Sequence, residues 1–286
     1  MVQMIREDFK AFVLYSGSGG NSTFIRVGES AILIDAGKSA RALCNALKSI
    51  DECIENVDAI FITHEHCDHV SALEVIAKKR DIPIHIAEES AKKFDRCAAS
   101  LIHERLHRHD PCFCVKVGEM RVSSFVTPHD SKMSVGYRVE FPDGDKICAV
   151  GIATDIGYVT DNIREGLMGC EAVVLEANHD KEMLMAGPYP YDLKQRVASR
   201  RGHLANDDCA IFACELAQSG TTSLVLAHLS RENNTPELAF DEVSSAVSGM
   251  GINLCVACPD DPVEIVVNKR SDQEYDEREI YNPWNA

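Results

Sequence analysis

The order of apolar and polar positions divides this chain into short strands and amphipathic helices. Residues 12–15 read as a strand, and Ser16-Gly17-Ser18-Gly19-Gly20-Asn21 follows as a turn that a glycine-rich segment makes easily. Residues 23–27 and 31–35 form a strand pair around Gly28-Glu29-Ser30. Apolar residues at helical spacing predict a helix over 39–50, and 59–63 is a strand. Helices are predicted over 70–78 and 90–101, on either side of a strand at 82–87. From 115 to 150 the pattern is mostly strand, with a hairpin turn at Pro142-Asp143-Gly144-Asp145. Beyond it, helices over 159–168, 206–218 and 237–248 alternate with strands at 172–176, 223–227 and 253–256. The sum is roughly a dozen strands and about six or seven helices, an α/β pattern consistent with two sheets packed together under outer helices. No linker-like stretch divides the chain, so residues 1–270 are expected to form a single domain, with an acidic tail over 271–286.

Composition excludes some classes. Twelve cysteines among 286 residues are too sparse for a disulfide scaffold. Cys148, Cys170, Cys209 and Cys214 sit in apolar stretches, where a free thiol behaves as a small buried hydrophobe. The first ten residues are polar and charged, unlike a signal peptide, and no apolar run reaches the roughly 18 residues of a membrane span. A reduced, cytoplasmic setting without a membrane partner is the expectation. The net charge of −16 disfavours nonspecific binding to a polyanion. A nucleic-acid enzyme with this balance needs a local basic surface or metal ions at the point of contact.

Chemistry concentrates just past the strand at 59–63, where His64, His66, Asp68 and His69 lie within six residues. Imidazole nitrogen and carboxylate oxygen are ligands that suit zinc, manganese or iron. In an extended strand exit, His64 and His66 point the same way. Asp68 and His69 then face a neighbouring position as the chain turns into a helix, a spacing that can feed two metals. Other polar clusters carry less. Cys112-Phe113-Cys114 and Cys255-Val256-Ala257-Cys258 have no partner pair at zinc-finger spacing and read as buried thiols. His103, His107 and His109, beside Arg105 and Arg108, read as a solvated helix end, with an accessory metal or phosphate contact as the alternative.

Thr63-His64-Glu65-His66-Cys67-Asp68-His69 resembles the THxHxDH signature of the metallo-β-lactamase superfamily, and Leu33-Ile34-Asp35-Ala36-Gly37 resembles its first motif. Thr127-Pro128-His129-Asp130, Ala153-Thr154-Asp155 and Ala227-His228-Leu229-Ser230 resemble the remaining metal motifs, in the expected order. The resemblance implies an αββα four-layer sandwich, two mixed sheets flanked by helices. It also implies two divalent metal ions, Mn²⁺ or Zn²⁺: one held by His64, His66, His129 and Asp155, the other by Asp68, His69, His228 and the shared Asp155. Ser16 to Asn21, Leu175-Glu176-Ala177-Asn178-His179-Asp180, Gly187-Pro188-Tyr189-Pro190, Gly202-His203-Leu204-Ala205-Asn206 and the segment 226–234 are similar to the YycJ/WalJ branch, which implies a cytoplasmic 5′-to-3′ DNA exonuclease. Ala205 departs from the serine usual in that branch. The 72 residues between Asp155 and His228 leave no room for the long insertion of the β-CASP nucleases.

Glu176 and His203 resemble a glutamate and histidine that work together in the tRNA 3′-processing relatives of the superfamily, which implies that the histidine protonates the leaving oxygen or holds a phosphate. Asp68 would ligate a metal and orient the nucleophile. Two cations sharing one carboxylate can lower the pKa of a water between them and neutralise charge as a phosphodiester is attacked. Positive charge for nucleic acid is sought in the segment 181–201, which holds five Lys/Arg against two Asp/Glu, with Lys194, Arg196, Arg200 and Arg201 as candidate contacts and Asn206 beyond them. Tyr189 and Tyr191 are candidates for stacking on bases. Two other readings stand beside this one: a small-molecule hydrolase of the same fold, acting on a cyclic phosphodiester, thioester or lactam, and a metal-binding regulatory protein without catalysis.

Overall fold

The first-half strands are β1 (Phe9–Tyr15), β2 (Ser22–Val27), β3 (Ser30–Ile34), β4 (Ala59–Phe61), β5 (Ile84–Ala87) and β6 (Leu106–His109). They are followed by β7 (Cys114–Val117), β8 (Met120–Thr127), β9 (Ser134–Asp143), β10 (Lys146–Ala153), β11 (Ala172–Glu176), β12 (Ser223–Ala227), β13 (Asn253–Val256) and β14 (Val263–Glu264). The structure, a computed structural model, describes residue 6, residues 8–96 and residues 101–267. The expected acidic tail, 271–286, lies outside the described residues.

The strands form two seven-stranded sheets, ordered β14-β1-β2-β3-β4-β5-β6 and β13-β12-β11-β10-β9-β8-β7. Each is mixed in the same way. Antiparallel pairing runs from β14 to β3 and parallel pairing from β3 to β6. In the second sheet β7 to β10 are antiparallel and β10 to β13 parallel.

Side-chain alternation sets the layers. On β11, Ala172 and Val174 join the core between the sheets, while Val173 and Leu175 pack under the helices. On β12, Val225 and Ala227 point inward and Leu224 and Leu226 outward. Both strands are buried throughout, which is why they read as continuous apolar runs rather than an in–out alternation. Helices α1 (Ala40–Ser49), α2 (Cys67–Val70), α3 (Leu73–Lys79) and α4 (Glu88–Ala91) come from the first half of the chain. From the second half come α5 (Asp161–Leu167), α6 (Lys181–Ala186), α7 (Tyr191–Val197), α8 (Asn206–Ser219) and α9 (Pro236–Ala246). Separate apolar clusters lie on the outer side of each sheet, completing the αββα sandwich. No helix among the described residues is long and apolar enough to cross a membrane.

Several expectations are corrected. The predicted helix over 70–78 is two helices, α2 and α3, because the metal-motif residues already begin a helical turn at Cys67. The helix over 90–101 is the short α4 followed by isolated 3-10 turns at Phe94–Arg96 and Leu101–Glu104, and residues 97–100 lie outside the described residues. His107 and His109 stand on β6, not on a helix end, since Leu106–His109 pairs in parallel with Ile84–Ala87. The basic segment folds as α6 and α7, and the latter buries none of its residues.

The two sheets are tied together where the chemistry lies. Val135 N donates to Thr63 O at 3.1 Å, and Tyr137 Oη to Ile62 O at 2.6 Å. Gly37 closes the other side: a Cβ there would lie 1.6 Å from Asp68 O. Gly37→Ala should therefore push the metal-motif turn outward and cost about 1–3 kcal/mol in urea denaturation, with weaker metal binding in the same preparation. An unchanged midpoint would mean that the two backbones are not in contact.

Candidate metal centre

Six strand ends meet at one edge of the sandwich. Asp35 follows β3, His64 to His69 follow β4, His129 follows β8, Asp155 follows β10, Glu176 closes β11 and His228 follows β12. Carboxyl ends of parallel strands are where an α/β sheet gathers a ligand site. Three of these residues, Asp35, Asp155 and His228, hold left-handed backbone at φ 63°, 56° and 58°. Non-glycine residues enter that region only when their surroundings over-determine it, at a cost of order 1 kcal/mol each. The turn that breaks each strand is also the turn that aims its side chain inward.

The donors converge in overlapping groups, each within 4.8 Å: His64, His66 and His129; Asp68, His69 and His228; His64, His69 and Asp155; and Asp155, Glu176, His203 and His228. Asp155 lies between them. Its Oδ2 is 3.2 Å from His69 Nε2, and its Oδ1 is 3.5 Å from His228 Nε2 and 3.7 Å from His129 Nε2. Asp68 Oδ2 approaches His69 Nε2 at 3.5 Å and His228 Nε2 at 3.9 Å. The donor set fits divalent metal: Asp155 Oδ2 and His228 Nε2 are buried without a hydrogen-bond partner, and the nitrogen and oxygen atoms around them suit Zn²⁺ or Mn²⁺.

Two buried carboxylates orient the imidazoles from behind. Asp35 Oδ1 accepts from Thr63 N at 2.8 Å, while Oδ2 accepts from Thr63 Oγ1 at 2.8 Å and from His69 Nδ1 at 2.7 Å. Glu176 Oε1 takes His203 Nδ1 at 2.8 Å and His228 Nδ1 at 2.9 Å. Its Oε2 accepts from Ile156 N at 2.7 Å and Leu204 N at 3.3 Å. Such contacts fix the tautomer and turn Nε2 toward the centre. The glycine-rich turn adds a third support. Ser16 Oγ accepts from His228 N at 2.6 Å, Asn21 N donates to Asp68 O at 2.8 Å, and Asn21 Nδ2 lies 3.1 Å from His69 Nε2. Sequence reasoning assigned no role to Ser16, Asn21 or Thr63 and left Asp35 as a motif match. A carboxylate closing the apolar run at 31–34 was the available signal.

Burial and charge act against each other here. Burial pushes the Asp155 carboxyl up, but His228 and His69 hold it well below the usual carboxylate range. Glu176 is likewise raised by burial and brought down to about 2 by His203 and His228. For His228, burial lowers the pKa, and Asp155, Asp68 and Glu176 outweigh it and raise it to about 10. His69 is raised well above its ordinary value against the same burial by Asp35 and Asp155. His64 and His129 are lowered, chiefly by burial.

The remaining predicted site residues are placed unevenly. His203 is half-buried, with its ring 5.3 Å from His129 and 5.2 Å from His228. Arg200 lies over the Tyr158 ring at 4.0 Å, and Arg201 donates to the carbonyls of His129 and Ser131. Arg196 pairs with Asp130 at 2.9 Å, and Lys194 Nζ donates to Met185 O at 2.6 Å. Tyr191 is exposed and Tyr189 half-buried. Asn206 is 3% exposed, and its amide exchanges two hydrogen bonds of 2.9 Å with Asn234. Cys112 and Cys114 are exposed rather than buried, whereas Cys255 is buried.

The profile of the "Beta-lactamase superfamily domain" family matches residues 30–229. The chain is 34% identical over 242 residues to "Exodeoxyribonuclease YycJ" of Bacillus anthracis, covering 85% of this chain and 90% of that protein. It is 33% identical over 254 residues to "Exodeoxyribonuclease WalJ" of Streptococcus pneumoniae, covering 87% and 93%. Among solved structures, the metallo-β-lactamase fold protein YhfI of Bacillus subtilis superposes with a TM-score of 0.65 at 18% identity, over 90% of this chain and all of that one.

Metal-free protein should show a stability that depends on pH with a definite sign. Protonated His228 is favoured in the fold, so its contribution is complete below the unfolded value near 6.5 and is lost as pH rises through about 10. The thermal midpoint of chelator-treated protein is expected to fall between pH 7 and pH 10. Metal binding near pH 7.5 should release protons, seen by titration calorimetry in buffers of different ionisation enthalpy.

Proposed function

Since the chain belongs to the metallo-β-lactamase superfamily, within its YycJ/WalJ-like branch, we propose that it is a metal-dependent phosphodiesterase acting on nucleic acid, specifically a 5′-to-3′ exodeoxyribonuclease of the cytoplasm. The observation that carries the reading is the pairing of His203 with buried Glu176 at the rim of the Asp155 centre. A hydrolase with metals alone has no need of a positioned proton donor backed by a buried carboxylate; a phosphodiesterase expelling a sugar oxygen does.

His64, His66, His129 and Asp155 would hold one divalent ion, and Asp68, His69, His228 and Asp155 a second, Mn²⁺ or Zn²⁺. Bound ions at such a site lower the pKa of water toward neutrality and neutralise phosphate charge. The chain's own residues do the rest. Half-buried Asp68, lowered by His228 and His69 against its burial, stays ionised and accepts a hydrogen bond that orients the nucleophile. Glu176 holds His203 through Nδ1, so Nε2 is the atom left to give a proton to the departing 3′ oxygen. The same carboxylate holds His228, which couples the proton donor to a ligand through one buried group. The exposed guanidinium of Arg200 and the backbone clamp made by Arg201 bring positive charge beside His129, where an overall acidic protein needs it.

End-labelled, 5′-phosphorylated duplex DNA, matching RNA, bis-(p-nitrophenyl) phosphate and nitrocefin, each with Mn²⁺ or Zn²⁺, test the assignment. Release of mononucleotides from DNA is the expected outcome; turnover of nitrocefin alone would return the protein to small-molecule hydrolysis. Asp155→Ala should abolish turnover in either metal, and His203→Ala should lower kcat by about 10²–10⁴-fold with metal content unchanged. Full turnover by Asp155→Ala would remove the shared carboxylate from the mechanism.

A further inference from the structure

Beside His129 the surface opens into a cleft of about 330 Å³, within the size range of small-ligand pockets. Lys132, Arg200 and Arg201 line it, together with Ser131 and Tyr158, and no Asp or Glu does. In a chain of net charge −16 that is a local reversal of sign. Among the described residues neither Lys132 nor Arg200 is paired with a carboxylate, and Ser131 Oγ is buried without a hydrogen-bond partner. A cleft with two available cations and an orphaned hydroxyl is chemically set for an anion rich in acceptor oxygens.

Its walls are held from several sides. Glu65 Oε1 accepts from Lys132 N at 2.8 Å, and Ser90 Oγ donates to Met133 O at 2.6 Å. Arg201 clamps the carbonyls of His129 and Ser131 from the opposite wall. Gly157 N donates to Pro128 O at 2.9 Å, and a Cβ on Gly157 would lie 2.3 Å from the carbonyl carbon of Arg200. That close approach is what brings the Arg200 guanidinium over the Tyr158 ring at 4.0 Å. Arg200 is thus partly ordered before any ligand arrives, which lowers the entropy of engaging one.

We infer that this cleft is a phosphate subsite: Lys132, Arg200 and Ser131 Oγ receive the phosphate next to the scissile one, and so set preference for polynucleotide over simple diesters. The inference rests on the nuclease reading above. The phosphate has two sources, the 5′-terminal monophosphate or the internal diester one nucleotide downstream of the scissile bond, and both present the same oxygens to the cleft. Lys132→Ala and Arg200→Ala, with Arg200→Lys as the conservative variant, are assayed as metal-loaded full chains on 5′-phosphoryl and 5′-hydroxyl oligodeoxynucleotides and on bis-(p-nitrophenyl) phosphate. Each alanine variant should lower the ratio of kcat/KM for the 5′-phosphoryl oligonucleotide to that for the small diester about tenfold, through KM, with partial recovery in Arg200→Lys. Loss confined to the 5′-phosphoryl substrate assigns the cleft to the terminal phosphate; equal loss on both oligonucleotides assigns it to the internal one. Ratios within about twofold of wild type, in variants whose thermal midpoints are unchanged, overturn the subsite. Wild-type protein that turns over the small diester but neither oligonucleotide overturns instead the nuclease reading.

Discussion

The constraint on which the rest depends is a carboxylate, Asp155, buried to 2% exposure among imidazoles contributed by both halves of the chain. An ionised carboxylate out of water is stable only if opposite charge or hydrogen bonds replace its hydration. Here the replacement is His69 on one oxygen and His228 on the other. Each of these sits at the end of a different strand, so the ends must be brought into register with one another. The two sheets face each other so that these ends meet, and the cross-sheet contacts from Thr63 and Ile62 hold them there.

Around that centre the architecture repeats itself. Asp35, at the end of β3 in the first sheet, backs His69; Glu176, at the end of β11 in the second, backs His228. Both carboxylates also bind backbone N–H groups of the neighbouring turn, which joins the orientation of a side chain to the path of the chain. Glu176 differs in serving a second histidine, His203, whose ring reaches the rim. The symmetric part of the arrangement positions donors, and the asymmetric part opens one side to a substrate.

Much of this was legible in the residues because the donors lie in short motifs at the ends of apolar runs. The runs at 172–176 and 223–227 became strands with those bounds, since full burial of β11 and β12 leaves no polar position to blur them. What escaped notice was decided at a distance. Asn206 was a candidate nucleic-acid contact, but Asn234, 28 residues on, takes its side chain. Leu106–His109 has no apolar alternation and is a strand only because β5 offers its edge. α7 has no buried face for periodicity to reveal. The cleft cations Lys132 and Arg200 are far apart in sequence, and the close approach at Gly157, with the Arg201 contacts to the His129 and Ser131 carbonyls, joins their walls.

The scattering of donors from residue 64 to residue 228 has a consequence for how the protein comes into being. Synthesis delivers His64 to His69 when only β1 to β4 of the first sheet have been made, and a nascent chain at that stage has a cluster of imidazoles without Asp155 or His228 to complete it. Contacts of such sequence separation form late, because the entropy of closing the intervening loops must be met first. Tight capture of metal is therefore deferred until the second sheet has docked, and catalytic competence arrives together with the finished fold rather than ahead of it.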